Sequence, residues 1–318
     1  MSRQGICVLF FLITVCGFSQ QLPYFTQFRA NSNYFNPAVT GTRRTLDMRV
    51  FHRNQWVGYE GQPRTQGFNL NSRLMKGKMG LGFLYYNDVT GPTMRNISNI
   101  NYSFHIRYPD IEFSMGLSGN IISYHVLGSR ITTAQSQDLA INNKINARGR
   151  RFDMSAGALL YNDRFHIGLS ILNMLGSTIH VFEGDSLRQT AIGMVGHPFF
   201  SIGYNFSGNP DFVWENTLQG NYVSGSSIMV DYSLRVFIRN KMFGGVSYRI
   251  RDAAALHAGV VINDEIQIGY SYDFGLSSLR KGHANSHEIT LVWSSNLEKI
   301  LGRKGNSEFR KQKFQYLL

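Results

Sequence analysis

Between Ile266 and Phe274 the chain reads IQIGYSYDF: Ile266, Ile268, Tyr270, Tyr272 and Phe274 alternate with Gln267, Gly269, Ser271 and Asp273. Successive side chains of a strand point to opposite faces, so a period of two marks a strand with one oily side. Working outward, the alternation returns in Ile228, Val230, Tyr232, Leu234, Val236 and Ile238, and in Met242, Gly244, Val246, Tyr248 and Ile250. It is present earlier in Met79, Leu81, Phe83 and Tyr85, in Ile100, Tyr102, Phe104 and Ile106, in Ile111, Phe113, Met115 and Leu117, and in Phe165, Ile167, Leu169 and Ile171. The last row is Ile289, Leu291 and Trp293. In all there are about 14 segments of roughly nine to twelve residues, the length a tilted strand needs to cross a bilayer. The opposite face is small and polar (Gly80, Gly82, Ser114, Gly116, Ser118, Asn120, Gly168, Ser170). That reads as a wet lumen, whereas a soluble sandwich, the alternative reading, fills its inner face with bulk. The expected fold is therefore all-β: a transmembrane antiparallel β-barrel of about 14 strands.

The links between rows sort by parity. Leu74 to Gly77, Tyr108 to Asp110, Asn162 to Arg164, Ser207 to Asp211, Asn240-Lys241 and Asn263-Asp264 are tight and rich in turn formers. Those between them vary more: His52 to Pro63, Asp88 to Arg95, about His125 to Arg150, Leu175 to Gln189, Val223 to Ser227, Asp252 to Ala254 and Leu276 to Asn285. Short periplasmic turns, longer extracellular loops and chain ends in the periplasm are expected of an outer-membrane barrel.

Hydrophobic types make up 43% of the 318 residues and charged types 16%, with two cysteines, which excludes a disordered chain and a disulfide scaffold. The start predicts export: Arg3 precedes an apolar run from Ile6 to Val15, and small residues follow at Gly17 and Ser19. Residues 1–19 read as a cleaved signal peptide, whose removal takes Cys7 and Cys16 with it. Residues 20–41 read as a periplasmic N-terminal strap or plug, 42–296 as the outer-membrane barrel, and 297–318 as a basic periplasmic tail. The formal net charge of +12 does not point to nucleic acid in an exported barrel, which meets phosphate mainly as lipopolysaccharide or lipid headgroups. Arg148, Arg150 and Arg151, at the end of the longest loop, suit such a contact.

Catalytic and cofactor patterns are missing. There is no Walker loop and no strand-to-helix GxGxxG, so no cofactor is expected. Gly116 to Gly119 lacks the spacing of a nucleophile elbow. His283 and His287 have a metal spacing only on a helix, and they fall at the mouth of the last strand. His105, His166 and Glu288 are expected to face the lumen without forming a catalytic set. No catalytic, cofactor-binding or metal residue is assigned.

The N-terminal region carries QLPYFTQF from Gln21, NPAVTG from Asn36, RNQWVG from Arg53 and PRT from Pro63. In this order and spacing they resemble the PorP/SprF family of Bacteroidetes outer-membrane proteins, associated with type IX protein secretion and gliding motility. The motif-bearing match covers 45 residues, Gln21 to Thr65. Beyond it the likeness is that of a glycine-rich and aromatic-rich barrel. The resemblance implies a component of the secretion machinery, or a client-specific partner to it. Its partners would be periplasmic ring lipoproteins or a large secreted surface adhesin.

The residues most suited to such contacts are Asn36 and Pro37, Arg53, Gln55 and Trp56 of the first outer loop, and Lys304, Arg310 and Lys311 of the tail. Asn36 and Pro37 also suit a sharp turn into the first strand, with Gly41 free to take positive φ, and Trp56 equally suits a seal at the lumen or rim. A solute-conducting channel and a rim-located hydrolase are the alternatives to a contact-making barrel.

Overall fold

The computed structural model describes residues 22–130, 146–183, 189–223, 228–263, 265–276 and 285–296. Its strands follow in order: β1 (Leu46–Asn54), β2 (Arg64–Leu74), β3 (Met79–Thr90), β4 (Thr93–Arg107), β5 (Glu112–Leu127), β6 (Asn146–Tyr161), β7 (Phe165–Leu172), β8 (Thr178–Glu183), β9 (Gln189–Gly193), β10 (His197–Asn209), β11 (Phe212–Asn221), β12 (Met229–Ile238), β13 (Met242–Arg249), β14 (Ala253–Ile262), β15 (Ile266–Gly275) and β16 (Ser286–Ser295). Every strand pairs antiparallel, and all but β8 and β9 form a closed 14-stranded barrel. First and last strands meet from Leu46↔Ser295 to Asn54↔His287, so the ring has no open edge. Closure is what a sheet needs in lipid, where no water is present to satisfy a free backbone group.

The outward rows are those of the alternating sequence. Leu81, Met115, Leu117, Ile167, Leu169, Tyr270 and Ile289 are exposed, while their neighbours Ser103, Ser114, Ser271 and Glu288 are buried inside. The wall is uneven in height: β4, β5 and β6 have 15, 16 and 16 residues, against 8 in β7 and 8 in β13. One link differs from expectation for this reason. Asp88 to Arg95 is not a loop; β3 and β4 stay paired as far as Thr90↔Thr93, leaving Gly91 and Pro92 as the turn. Hydrophobic alternation stops where lipid stops, but the hydrogen-bonded ladder continues above it, so a polar strand extension reads as a loop.

β8 and β9 form a hairpin beside the ring, joined to β6 at Ala147↔Glu183 and Arg148↔Phe182. It turns Ile179 and Val181 inward at the long-loop end, both buried.

The lumen is the main departure from the sequence reading. It is not a wet space behind small side chains. Residues 22–42 lie inside the ring and are buried almost throughout.

Candidate functional site

This N-terminal strap descends the barrel from the long-loop end to the short-turn end, where β1 begins. Leu22 lines a small pocket with Tyr86, Ile97 and Ile122, in the upper half of β3, β4 and β5. Thr42 lies with Tyr108, Pro109 and Asp110 at the turn between β4 and β5. The segment read as a strap or plug therefore has its described residues within the barrel, as a plug would.

Its upper end is held by charge. Arg53 on β1, Glu288 on β16 and Asp273 on β15 lie on adjacent strands and turn inward together. Arg53 binds Asp273 at 2.8 Å and Glu288 at 3.0 Å. The Glu288 carboxylate also accepts the backbone N–H groups of Thr26 at 2.7 Å and Gln27 at 3.1 Å. The Thr26 hydroxyl donates to Asp273 at 2.6 Å and accepts from Arg53 at 2.6 Å. Three ionised groups thus converge on two strap residues, in the charge-assisted geometry that makes hydrogen bonds strongest. Nearby, the Arg249 guanidinium lies 3.8 Å from the centre of the Tyr24 ring, a cation–π contact, and Gln219 donates to the Tyr24 hydroxyl at 2.6 Å. Burial pushes the Tyr24 phenol well above its ordinary range, so the ring stays neutral over the cation.

Midway down, Arg29 of the strap pairs with Glu215 at 3.1 Å and donates to Thr217 at 3.0 Å, while Arg235 binds the same Glu215. Burial lowers the Arg29 guanidinium to about 10, still charged at neutral pH. Beside it sits an apolar cluster. Phe25, Phe28, Tyr34 and Phe35 of the strap pack on Phe51, Leu84, Tyr86, Ile97, Ile122 and Phe199 of the wall and on Ile179 and Val181 of the hairpin. Phe35 stacks on Phe199 at 4.9 Å, and Phe25 meets Phe51 edge-on at 4.9 Å. Each such side chain removed from water contributes on the order of 1.5–3 kcal/mol.

At the bottom, Asn36 and Pro37 make the expected turn. The Asn36 carbonyl oxygen accepts from Ala38 N–H at 2.9 Å, and its amide donates to Ala158 O at 3.1 Å and Leu169 O at 3.3 Å, between β6 and β7. Serines of the wall satisfy strap carbonyls: Ser170 donates to Phe35 O at 2.6 Å, Ser114 to Ala38 O at 2.8 Å and Ser103 to Thr40 O at 2.6 Å. Glycines supply the room. A Cβ on Gly116 would overlap the backbone at Pro37 and Ala38, and one on Gly157 would overlap the Asn36 side chain. Gly41 takes φ +77 as the chain leaves the turn. The small face of the wall is thus a seat for the strap. Asn36→Ala leaves two strand carbonyls and one strap N–H without this partner, and is expected to cost about 1–3 kcal/mol in urea unfolding of the detergent-solubilised barrel.

Three of the residues suited to partner contacts lie inside the barrel. Asn36 is 3% exposed and Arg53 1%, and Pro37 is buried beside Asn36 at the bottom turn; all three join strap to wall. Gln55 and Trp56 are half-buried at the rim, where Trp56 N–H donates to Ser286 Oγ at 3.2 Å. Lys304, Arg310 and Lys311 lie outside the described residues. His105, His166 and Glu288 all face inward as expected. Ser103 and His105 stand 2.9 Å apart, a distance at which a base activates a nucleophile, but both groups also bind Thr40 O and are sealed under the strap. Among the described residues no cluster of His, Cys, Asp and Glu is arranged to hold a metal.

At the short-turn end a cleft of about 420 Å³ opens beside the strap's exit, lined by Arg44, Arg107 and Arg164 with Asp110 and Glu112. Glu112 anchors it, bound by Arg73 at 2.6 Å, by Arg44, and by the Tyr161 hydroxyl at 2.9 Å.

Solved structures that resemble the chain are outer-membrane proteins of low identity. The outer membrane protein Omp33 of Acinetobacter baumannii aligns with TM-score 0.45 and 9% identity, over 80% of this chain and 100% of that one. The toluene transporter TodX of Pseudomonas putida aligns with TM-score 0.46 and 10% identity, over 87% and 95%. No curated protein sequence matches. The family model of type IX secretion system membrane proteins PorP/SprF matches residues 17–293, which spans the motifs of the strap and the barrel that encloses it. The chain belongs to the PorP/SprF family of type IX secretion membrane proteins, and its place is the outer membrane.

Proposed function

We propose that this barrel serves the type IX machinery as a closed platform, acting through protein contacts at its two ends and conducting no solute. The observation that carries this reading is the strap: a lumen occupied by aromatic packing and buried ion pairs leaves the ends and the wall as working surfaces. At the periplasmic end the cleft around Arg44, Arg107 and Arg164 offers both signs of charge to a ring lipoprotein. On the outer side the loop after β1 presents the half-buried Trp56 and the exposed Tyr59 to a secreted adhesin. Buried aromatic anchors of this kind carry much of the energy of protein interfaces.

Crosslinking in the native envelope followed by pull-down tests the reading. Ring lipoproteins or one large surface adhesin are the expected catch, and Arg107→Glu with Arg164→Glu should reduce the ring-protein yield severalfold. Recovery of a TonB-like energiser in their place favours a gated solute transporter and overturns the platform.

A further inference from the structure

The tall side of the barrel, β4 to β6, carries charge on its outer surface at two successive outward levels of β5 and β6. On this face the exposed apolar row of β5 runs through Met115, Leu117 and Ile121, and Ile121 pairs with the exposed Phe152 of β6. The next outward pair up is Ser123↔Arg150 and the next is His125↔Arg148. Both arginines are exposed, and Arg150 Nε donates to Ser123 Oγ at 3.2 Å. Neither forms an ion pair with a described residue. The nearby acids turn inward: Asp88 of β3 is 4% exposed and bound to Arg95, and Asp153 of β6 is 0% exposed and accepts from Leu175 and Ser177. Across β4 and β3 the same level is polar and uncharged, with Asn96 accepting from Asn87 at 2.7 Å and from Tyr85 at 3.2 Å. The register also divides the arginines that sequence grouped together. Arg151 pairs with the buried Ile122 and so belongs to the lumen face, opposite to Arg148 and Arg150.

The height of this pair is set by the strand. Eight residues separate Phe113 from Ile121, and at about 3.3 Å each with a tilt near 40° they rise roughly 20 Å, close to the full apolar band of an outer-membrane barrel. Ser123 and Arg150 therefore lie where hydrocarbon gives way to headgroups on the long-loop side, the outer leaflet. Two outward arginines on alternate residues of one strand have Cα atoms about 6.6 Å apart, and the backbone of His125 lies on the adjoining strand about 4.8 Å away. Planar forks at that spacing suit a phosphate, which arginine binds bidentately.

We propose that Arg148, Arg150, Ser123 and His125 form a binding site for the phosphorylated glucosamine headgroup of outer-leaflet lipid A, whose acyl chains lie along Ile121 and Phe152. Leaflet and charge choose this occupant: the site is cationic and faces the glycolipid side of the membrane.

Native mass spectrometry of the full chain in detergent tests the site, with lipid A, the same lipid A stripped of phosphate, and phosphatidylglycerol as probes. Phosphorylated lipid A should be retained at least tenfold better than either other lipid. Arg148→Ala combined with Arg150→Ala should remove that preference, whereas Arg151→Ala should keep it. Equal retention of the stripped lipid or of phosphatidylglycerol by the wild-type protein overturns the proposal, even if the double variant does not fold. An Arg151→Ala effect as large as that of the double variant overturns it too.

Discussion

Deleting residues 22–41 turns a barrel that is silent in planar bilayers into one that carries steady ion current, more than about tenfold above the intact protein, because a ring of this size has room for water once nothing fills it. Eight strands leave an interior that side chains alone can fill, and porins of sixteen or more hold an open channel. The present ring of 14 lies between them, and its inner wall of glycine and serine is too small to close the gap where the strap turn now sits. Beside the apolar patch on which the strap packs, deletion exposes many charged groups: Arg49, Asp47, Glu215, Arg235, Asp231 and Glu288 all point inward. The β8–β9 hairpin would lose its hold as well, since Ile179 and Val181 pack on the strap's aromatic cluster. A synthetic peptide of residues 22–41 added to the deleted barrel should restore silence, which separates an emptied lumen from a damaged wall. A folded strapless barrel that passes no current, or an intact barrel that conducts steadily, is incompatible with the strap as the occluding element.

Barrel and strap differed in how far they were legible. Lipid enforces the barrel: every outward residue from Leu81 to Ile289 must be apolar wherever hydrocarbon touches it, and that rule prints a period of two directly on the chain. The strap's seat is enforced by contacts between residues far apart in sequence, such as Asn36 with Ala158 and Thr26 with Glu288. Glycine at 116 or 157 looks the same whether it borders water or a packed backbone, so the small inner face read as wet. A usable signal was nonetheless present. Phe83-Leu84-Tyr85-Tyr86 and Ile121-Ile122 are apolar on both faces of their strands. Leu84, Tyr86 and Ile122, the inward members, are buried at 1%, 2% and 3% exposure. A water-filled lumen gives no reason for them, and an aromatic segment such as Tyr24 to Phe35 gives them a partner. Arg53 misled in the other direction. Beside Gln55 and Trp56 it looked like a loop residue, but β1 extends to Asn54 and parity turns Arg53 inward.

That inward turn makes Arg53→Ala the most damaging single substitution expected here, costing about 3–5 kcal/mol, since removing one partner of a buried pair strands the other charge without water. Two carboxylates are stranded at once: Glu288 at 0% exposure and Asp273 at 2%. Glu288 keeps the Thr26 and Gln27 N–H groups, so it remains partly satisfied. Asp273 retains the Thr26 hydroxyl, which no longer accepts from Arg53. The strap's upper end should therefore loosen before the wall does, giving brief current bursts in bilayers under conditions where the wild type is silent. Adding Glu288→Gln and Asp273→Asn to Arg53→Ala removes the stranded charges and should recover more than half of the lost stability, because a buried ion network is costly mainly when broken on one side. Urea unfolding in detergent, followed by tryptophan fluorescence, measures both variants. A cost below about 1 kcal/mol for Arg53→Ala would place the group among solvent-screened pairs and remove the charge latch from this account. A triple variant no better than the single one would instead locate the loss in the packing of the arginine's own stem.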